Sequence, residues 1–312
     1  MLFAACQPCC QQDGTTEENI DVMPMQAFTG SLAGDFMKSP RVAKDTAKVT
    51  NLEARPEMEI EAGARYKGQW KGTQCYGHGI LTRVDGSWYE GNFVDGKAHG
   101  RGKFVAASGN IYDGEWEFDR AHGYGKYVFE DGSTYEGEWY HDEKCGNGVE
   151  RWADGSKYEG QFNGGCKHGL GTYSSAQGQI VYKGQFQVDK MDGLGTYTFA
   201  NGRTYVGQWR VGQMDGEGVM SWPDGSKYTG SCRKDLRHGE GTLSWPDGRS
   251  YKGQWVAGTQ DGEGIMTDAQ GNQSTGVWQD GILSDQKRDG TGSKPVLPKE
   301  PTREPPAVVH EA

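Results

Sequence analysis

Four histidines recur at one position of the sequence pattern and are the first candidates for chemistry: His99, His122, His168 and His238. Imidazole binds zinc, but every ligand atom must lie about 2 Å from the ion. Equivalent residues of successive β-hairpins are roughly 10 Å apart, which is two strand spacings. The same position also holds Asp192, Asp215, Asp261 and Cys145. A polar residue near a turn accounts for every case, so we predict no metal site and no cofactor.

Three cysteines cluster near the start of the chain, at Cys6, Cys9 and Cys10. Three thiols without a fourth ligand make a poor zinc site. Clustered thiols beside Leu2 and Phe3 instead suit S-acylation, and two or more acyl chains would anchor the chain stably to a membrane. The alternative is a disordered terminus with unmodified thiols. The remaining cysteines have no framework spacing, which favours reduced thiols inside the cell.

The composition argues against a large globular enzyme and against a nucleic acid partner. Hydrophobic residues make up only 34% of the chain, and there are 50 glycines. The net charge of −10 disfavours binding to phosphates, which Lys and Arg must neutralise. No glycine-rich phosphate loop precedes a helical pattern, and no apolar run reaches the ~20 residues of a membrane span. We expect a non-enzymatic protein that binds no nucleic acid.

A tandem repeat organises the chain, with a step of 23 residues that is once 24. Each repeat begins with a tyrosine, has glycine two residues later, and has an aromatic residue two residues after that. These predicted core residues are Tyr66, Gly68, Trp70, Tyr89, Gly91, Phe93, Tyr112, Gly114, Trp116, Tyr135, Gly137, Trp139, Tyr158, Gly160, Phe162, Tyr182, Gly184, Phe186, Tyr205, Gly207, Trp209, Tyr228, Gly230, Tyr251, Gly253 and Trp255. Only Cys232 departs from the aromatic rule.

Strands are the elements that this period favours, because the glycine content would destabilise helices. Alternate residues of a strand share a face, so Tyr135, Gly137 and Trp139 are predicted to face a core. Glycine between the rings would let a ring of the next repeat lie over the backbone. A second strand with a glycine pair follows in each repeat, and an Asp-Gly or similar turn then closes the hairpin. Glu150 is the polar exception in the second strand's core column.

The pattern Tyr-x-Gly-x-Trp, followed by a glycine pair and Asp-Gly, resembles the membrane occupation and recognition nexus, or MORN, repeat. The resemblance implies an all-β fold, an elongated single antiparallel meander forming a twisted, solenoid-like rod of nine to ten β-hairpin repeats. We place the repeat domain at 63–283, with repeats starting at 66, 89, 112, 135, 158, 182, 205, 228 and 251 and a half repeat at 274. Residues 1–62 and 284–312 are predicted to be disordered or linker segments.

The resemblance also implies a scaffold or adaptor that organises cytoskeletal or membrane-associated proteins, and it implies a homodimer. We expect a cytoplasmic protein, cytoskeletal or peripheral on the cytosolic face of a membrane. The alternative is a phosphoinositide-binding module that regulates an enzyme in trans. Outward positions in repeats two to five form a predicted acidic partner face, comprising Glu90, Asp113, Glu115, Glu136, Glu138 and Glu159. Direct lipid contact would therefore belong to the C-terminal half, near Lys183 and Lys252.

Overall fold

The computed structural model describes residues 51–286. They form one sheet of 21 strands, in which each strand pairs antiparallel with the next along the chain. The strands are β1 Glu53–Glu59, β2 Arg65–Lys71, β3 Gln74–Thr82, β4 Trp88–Val94, β5 Lys97–Val105, β6 Ile111–Glu117, β7 Arg120–Val128, β8 Thr134–Tyr140, β9 Glu143–Arg151, β10 Lys157–Asn163, β11 Cys166–Ser174, β12 Ile180–Gln187, β13 Lys190–Thr198, β14 Thr204–Arg210, β15 Gln213–Ser221, β16 Lys227–Arg233, β17 Leu236–Ser244, β18 Ser250–Val256, β19 Thr259–Thr267, β20 Gln273–Gln279 and β21 Ile282–Gln286. The predicted all-β meander is confirmed.

Each strand alternates between a buried and an exposed face because its side chains point to opposite sides of the pleat. In β8, Tyr135, Gly137 and Trp139 are buried, whereas Glu136 is exposed and Glu138 is half-buried. The same alternation recurs from β2 to β20, so the buried rings form a continuous core along one face. At about 4.8 Å per strand, 21 strands extend roughly 100 Å before twist shortens the sheet.

Two kinds of turn connect the strands. The Asp-Gly turns join one repeat to the next, as at Asp131-Gly132, where Gly132 has a φ of 86° and its N–H donates to the Phe129 carbonyl at 3.0 Å. The turn inside each repeat has two residues, as at His141-Asp142, whose φ values of 49° and 75° are both positive. Such two-residue turns match the twist of the flanking strands. The sequence analysis predicted only the first kind.

The single 24-residue step produces a β-bulge. Tyr173 pairs with Tyr182, but the next residue, Ser174, pairs with Ile180, so Val181 has no residue opposite it. The extra residue is absorbed at this point, and the core positions of β12 return to the same face, with Tyr182 and Phe186 buried.

The N-terminal boundary of the sheet differs from the prediction, which placed residues 1–62 in a linker. Strand β1 and a short 3-10 turn at Glu61–Gly63 precede the first repeat, and β1 pairs along β2 from Glu53 opposite Trp70 to Glu59 opposite Arg65. An edge strand buries little, and no residue of β1 is fully buried, so it carries no alternation that the sequence could reveal. The predicted half repeat at 274 forms the complete hairpin β20–β21.

Candidate functional site

The glycines of the core face are needed because the tyrosine of the same repeat lies over them. A Cβ on Gly79 would be 2.6 Å from Cε2 of Tyr66, and a Cβ on Gly68 would be 2.5 Å from the Gly79 Cα. The sequence analysis assigned this contact to a ring of the next repeat. That assignment is wrong, because Gly68 and Gly79 face each other across the hairpin and both are covered by their own tyrosine.

A second set of contacts holds a bulge in every hairpin. The Tyr66 hydroxyl donates to the Gln69 carbonyl at 2.9 Å, and the Gln69 side-chain oxygen accepts from the His78 N–H at 2.9 Å. Gly77, the first glycine of the pair, has a φ of 64° here, a conformation that glycine adopts without steric cost. The hydroxyl of each of the nine repeat tyrosines donates to the carbonyl three residues later.

Rings of adjacent repeats meet edge to face and connect the hairpins. Tyr112 lies 5.0 Å from Trp116 in its own repeat and 5.3 Å from Trp139 in the next, measured between ring centroids. The Trp139 indole N–H also donates to the Gly125 carbonyl of the preceding repeat at 3.1 Å. Cys232 takes the place of a ring in repeat eight, and its burial raises the pKa of this thiol to about 12, so the thiol stays protonated and unreactive at neutral pH.

The MORN repeat profile matches nine consecutive segments, at residues 66–88, 89–111, 112–134, 135–157, 158–180, 182–202, 205–227, 228–248 and 251–273. The chain belongs to the MORN-repeat family. The nine matched MORN repeats correspond to the hairpins from β2–β3 to β18–β19, and the predicted resemblance is confirmed.

Similar solved structures share only a general likeness with the MORN sheet. The TCP10 domain of Danio rerio CPAP, solved with a peptide of STIL, is 12% identical over 74% of this chain and 98% of that chain, with a TM-score of 0.40. The TCP domain of Drosophila melanogaster SAS-4, solved with a proline-rich motif of Ana2, is 12% identical over 72% and 96%, with a TM-score of 0.23. No curated protein sequence matches the chain.

The predicted acidic face is less uniform than the first strands of the MORN repeats suggested. Glu90, Asp113, Glu136 and Glu159 are exposed, but Glu115 and Glu138 are half-buried. The Glu138 side chain accepts the Asn147 N–H at 2.8 Å and so belongs to the hairpin bulge. The sequence analysis did not consider the second strands, whose lysines lie beside these acids: Lys103 pairs with Glu90 and Asp113, and Lys126 pairs with Asp113 and Glu136.

In repeats four and five, two exposed acids have no lysine on the strand between them. Val149 stands between Glu136 and Glu159 and pairs with both, so no lysine lies between that pair on the intervening strand, although Lys126 pairs with Glu136 and Lys157 contacts Glu159 at 2.8 Å. We call Glu136, Val149 and Glu159 the acidic patch. In the C-terminal half, Lys183, Val206, Thr229 and Lys252 occupy the equivalent exposed positions. The first strands of the two halves thus differ in charge, although the second strands of the C-terminal half expose Glu217, Glu240 and Glu263 on the same face.

A buried charged cluster interrupts the aromatic core, and the sequence analysis noticed only its carboxylate. The Lys144 Nζ lies 2.5 Å from Glu150 Oε1, and the Lys167 Nζ lies 3.5 Å from Glu150 Oε2 and from Asp189 Oδ1. The Lys167 side chain is 2% exposed, and its ammonium lies 5.1 Å from the centre of the Trp152 ring. Lys144 and Lys167 occupy the repeat position that holds Met191 and Met214 in later repeats. This equivalence in the sequence indicates that a lysine at this position is buried.

A second cluster contains three residues that could bind a metal ion. The prediction of no metal site compared only the histidines that share one repeat position. The structure instead brings together residues from three different repeat positions, namely Glu117, His122 and His141.

A cavity between two repeats is too small for a substrate. It has a volume of about 20 Å³ and is lined in part by Tyr89, Phe104, Trp116 and Asp119, which leaves room for about one water molecule. Within residues 51–286, no helix is long and apolar enough to cross a membrane. Cys6, Cys9 and Cys10 lie outside the described residues.

Proposed function

We propose that the protein is a non-enzymatic scaffold that spaces and organises cytoskeletal or membrane-associated protein assemblies in the cytoplasm. The observation that carries the proposal is the continuous meander itself. Every MORN hairpin uses its buried face to pack on its neighbours, which leaves one long, exposed face of defined length. A face of this kind suits binding sites for several partners at fixed distances, and the acidic patch suits a partner with a basic surface.

The acidic patch gives the scaffold proposal a test with a matched control. Glu136→Gln with Glu159→Gln raises the net charge by two, and so does Val206→Lys with Thr229→Lys, at the equivalent exposed positions of repeats seven and eight. Proximity labelling in the native cell should show protein neighbours that fall at least ~10-fold in the first variant and persist in the second. Equal neighbour profiles for the two variants, or no protein neighbours for the unaltered chain, would contradict the proposal.

The lipid alternative is supported by the first strands of the C-terminal half, where Lys183 and Lys252 are exposed, although the second strands there also expose Glu217, Glu240 and Glu263. Flotation with phosphoinositide vesicles at physiological salt separates it from the scaffold, provided that Cys6, Cys9 and Cys10 are changed to serine to remove any acyl chain. The scaffold proposal expects no flotation. Flotation that is lost in Lys183→Ala with Lys252→Ala would favour lipid binding. The proposed S-acylation is tested by a hydroxylamine-sensitive palmitate label on the unaltered chain, and absence of the label refutes it.

We also propose that the scaffold is a homodimer that forms through its C-terminal edge. Within the described residues, neither β1 nor β21 has a strand on its outer side. Strand β1 contains Pro56 and three glutamates, which discourage edge pairing. Strand β21 lacks proline, and its Ile282 is 70% exposed. An unprotected edge with an exposed apolar residue favours pairing with a second copy.

The dimer prediction uses a charge placed on that edge. Ile282→Lys should weaken the dimer at least ~10-fold in sedimentation velocity, because a lysine on an edge strand blocks edge-to-edge pairing. Ile180→Lys is the control, since Ile180 is 54% exposed on a strand that is paired on both sides. A chain that is monomeric at every concentration, or a dimer equally weakened by both changes, would refute this arrangement.

A further inference from the structure

Glu117, His122 and His141 converge at the junction of repeats three and four. Glu117 ends β6, His122 lies in β7, and His141 lies in the turn between β8 and β9. Glu117 Oε2 is 3.3 Å from His122 Nδ1 and 3.3 Å from His141 Nε2. All three atoms lie within 4.8 Å of one another, although the residues come from two different hairpins.

These distances suit a tetrahedral ion. Two ligands that are each ~2.1 Å from a tetrahedral zinc ion are about 3.4 Å from each other, and two of the three separations, both 3.3 Å, are already close to this value. The remaining separation, between the imidazoles, requires only rotation of side chains that are 31% and 40% exposed.

The ring of Tyr140 lies beside both imidazoles. The Tyr140 ring stacks on His141 with 4.2 Å between the ring centres and lies 5.4 Å from His122. His122 Nδ1 is buried and makes no hydrogen bond among the described residues, although Glu117 Oε2 is nearby. A buried nitrogen without a hydrogen bond is costly, and a metal ion would satisfy it.

The cluster is not a by-product of the repeat. At the preceding junction the equivalent residues are Val94, His99 and Phe118, and at the following junction they are Tyr140, Cys145 and Gly164. Neither set offers three metal ligands. Histidine recurs at the repeat position of His122 along the chain. Only at this junction do the repeat positions of Glu117 and His141 also supply a carboxylate and a second imidazole.

We propose that Glu117, His122 and His141 bind one zinc ion, which joins repeats three and four. Two imidazoles with one carboxylate favour zinc over magnesium or calcium, which prefer oxygen ligands. The fourth position is open to water or to a side chain of another molecule. The ion ties the turn of repeat four to the strands of repeat three, so it stiffens the rod at one point along its length.

The test measures zinc binding by titration calorimetry on the full chain without a histidine tag. Cys6, Cys9 and Cys10 are changed to serine, because their thiols would compete for the metal. His122→Ala and His141→Asn should each weaken binding at least ~10-fold; asparagine is chosen because His141 has a φ of 49°, which asparagine tolerates. His99→Ala, at the same column of repeat two, should bind zinc like the parent. Zinc should raise the melting temperature of the parent and of His99→Ala alone.

Several outcomes would overturn the site. These are a parent that binds no zinc, affinities that are unchanged in both ligand variants, or a cobalt-substituted parent whose spectrum shows thiolate charge transfer, which would place the ion at a cysteine. Melting without metal verifies that each variant is folded. Glu117→Gln keeps the size of the side chain and should also weaken binding, so a misfolded histidine variant does not leave the question open.

Discussion

Gly125→Ala is expected to destabilise the sheet by about 3 kcal/mol, at the upper end of the usual cost of overpacking. A Cβ at this position would lie 2.6 Å from Cζ of Tyr112. The ring cannot move aside easily, because Tyr112 is fully buried, its hydroxyl donates to the Glu115 carbonyl at 2.9 Å, and Trp116 and Trp139 contact it on either side. Urea unfolding with hydrogen exchange at repeats three and four measures the loss.

The control for this change is a glycine whose added Cβ would touch no other atom. Gly132→Ala introduces a Cβ that meets nothing within 4 Å, so only the strain of its positive φ remains, about 1 to 2 kcal/mol. Pairing Gly125→Ala with Tyr112→Leu should recover part of the loss, because the clash is then removed, and the coupling of the two changes isolates that contact. If Gly125→Ala costs no more than Gly132→Ala, the tyrosine does not require the bare backbone.

Glu150→Met is expected to cost about 3 to 5 kcal/mol, since it leaves buried lysines without their carboxylate. Lys144 and Lys167 have side chains that are only 14% and 2% exposed, and Asp189 is the one other acid found beside Lys167 in the described part of the cluster. Thermal and urea unfolding measure the effect. Glu136→Met, at an exposed position of β8, should stay within about 0.5 kcal/mol of the parent.

Replacing the whole cluster should restore the stability. The triple variant Lys144→Met, Glu150→Met and Lys167→Met should be as stable as the parent or more stable, because well-packed apolar residues often equal a buried ion pair. Met191 and Met214 already fill the lysine column in later repeats, and Met220 and Met266 fill the glutamate column, all of them buried. A triple variant as unstable as Glu150→Met alone would show that the charges are not the cause.

The sequence by itself determined the architecture. A meander contacts only its neighbours in sequence, so the spacing of Tyr, Gly and Trp was enough to predict the strands, the buried face and the turns between repeats. Alternation along a strand is a strict geometric rule, and nine repetitions leave little freedom for another fold.

Only the tertiary structure decided which atoms meet. The bulge in each hairpin shifts the register after the core glycine, as between Gly68 and Trp70, and this shift places the tyrosine over its own repeat's glycines. Lys144 lies on the same strand as Glu150 but at another repeat position, and Lys167 comes from β11. The two histidines beside Glu117 come from β7 and from the turn after β8. The one-dimensional pattern treats these repeat positions separately. Strand β1 carries no periodic signal. Contacts across strands depend on register and side-chain direction, and these are properties of the folded sheet.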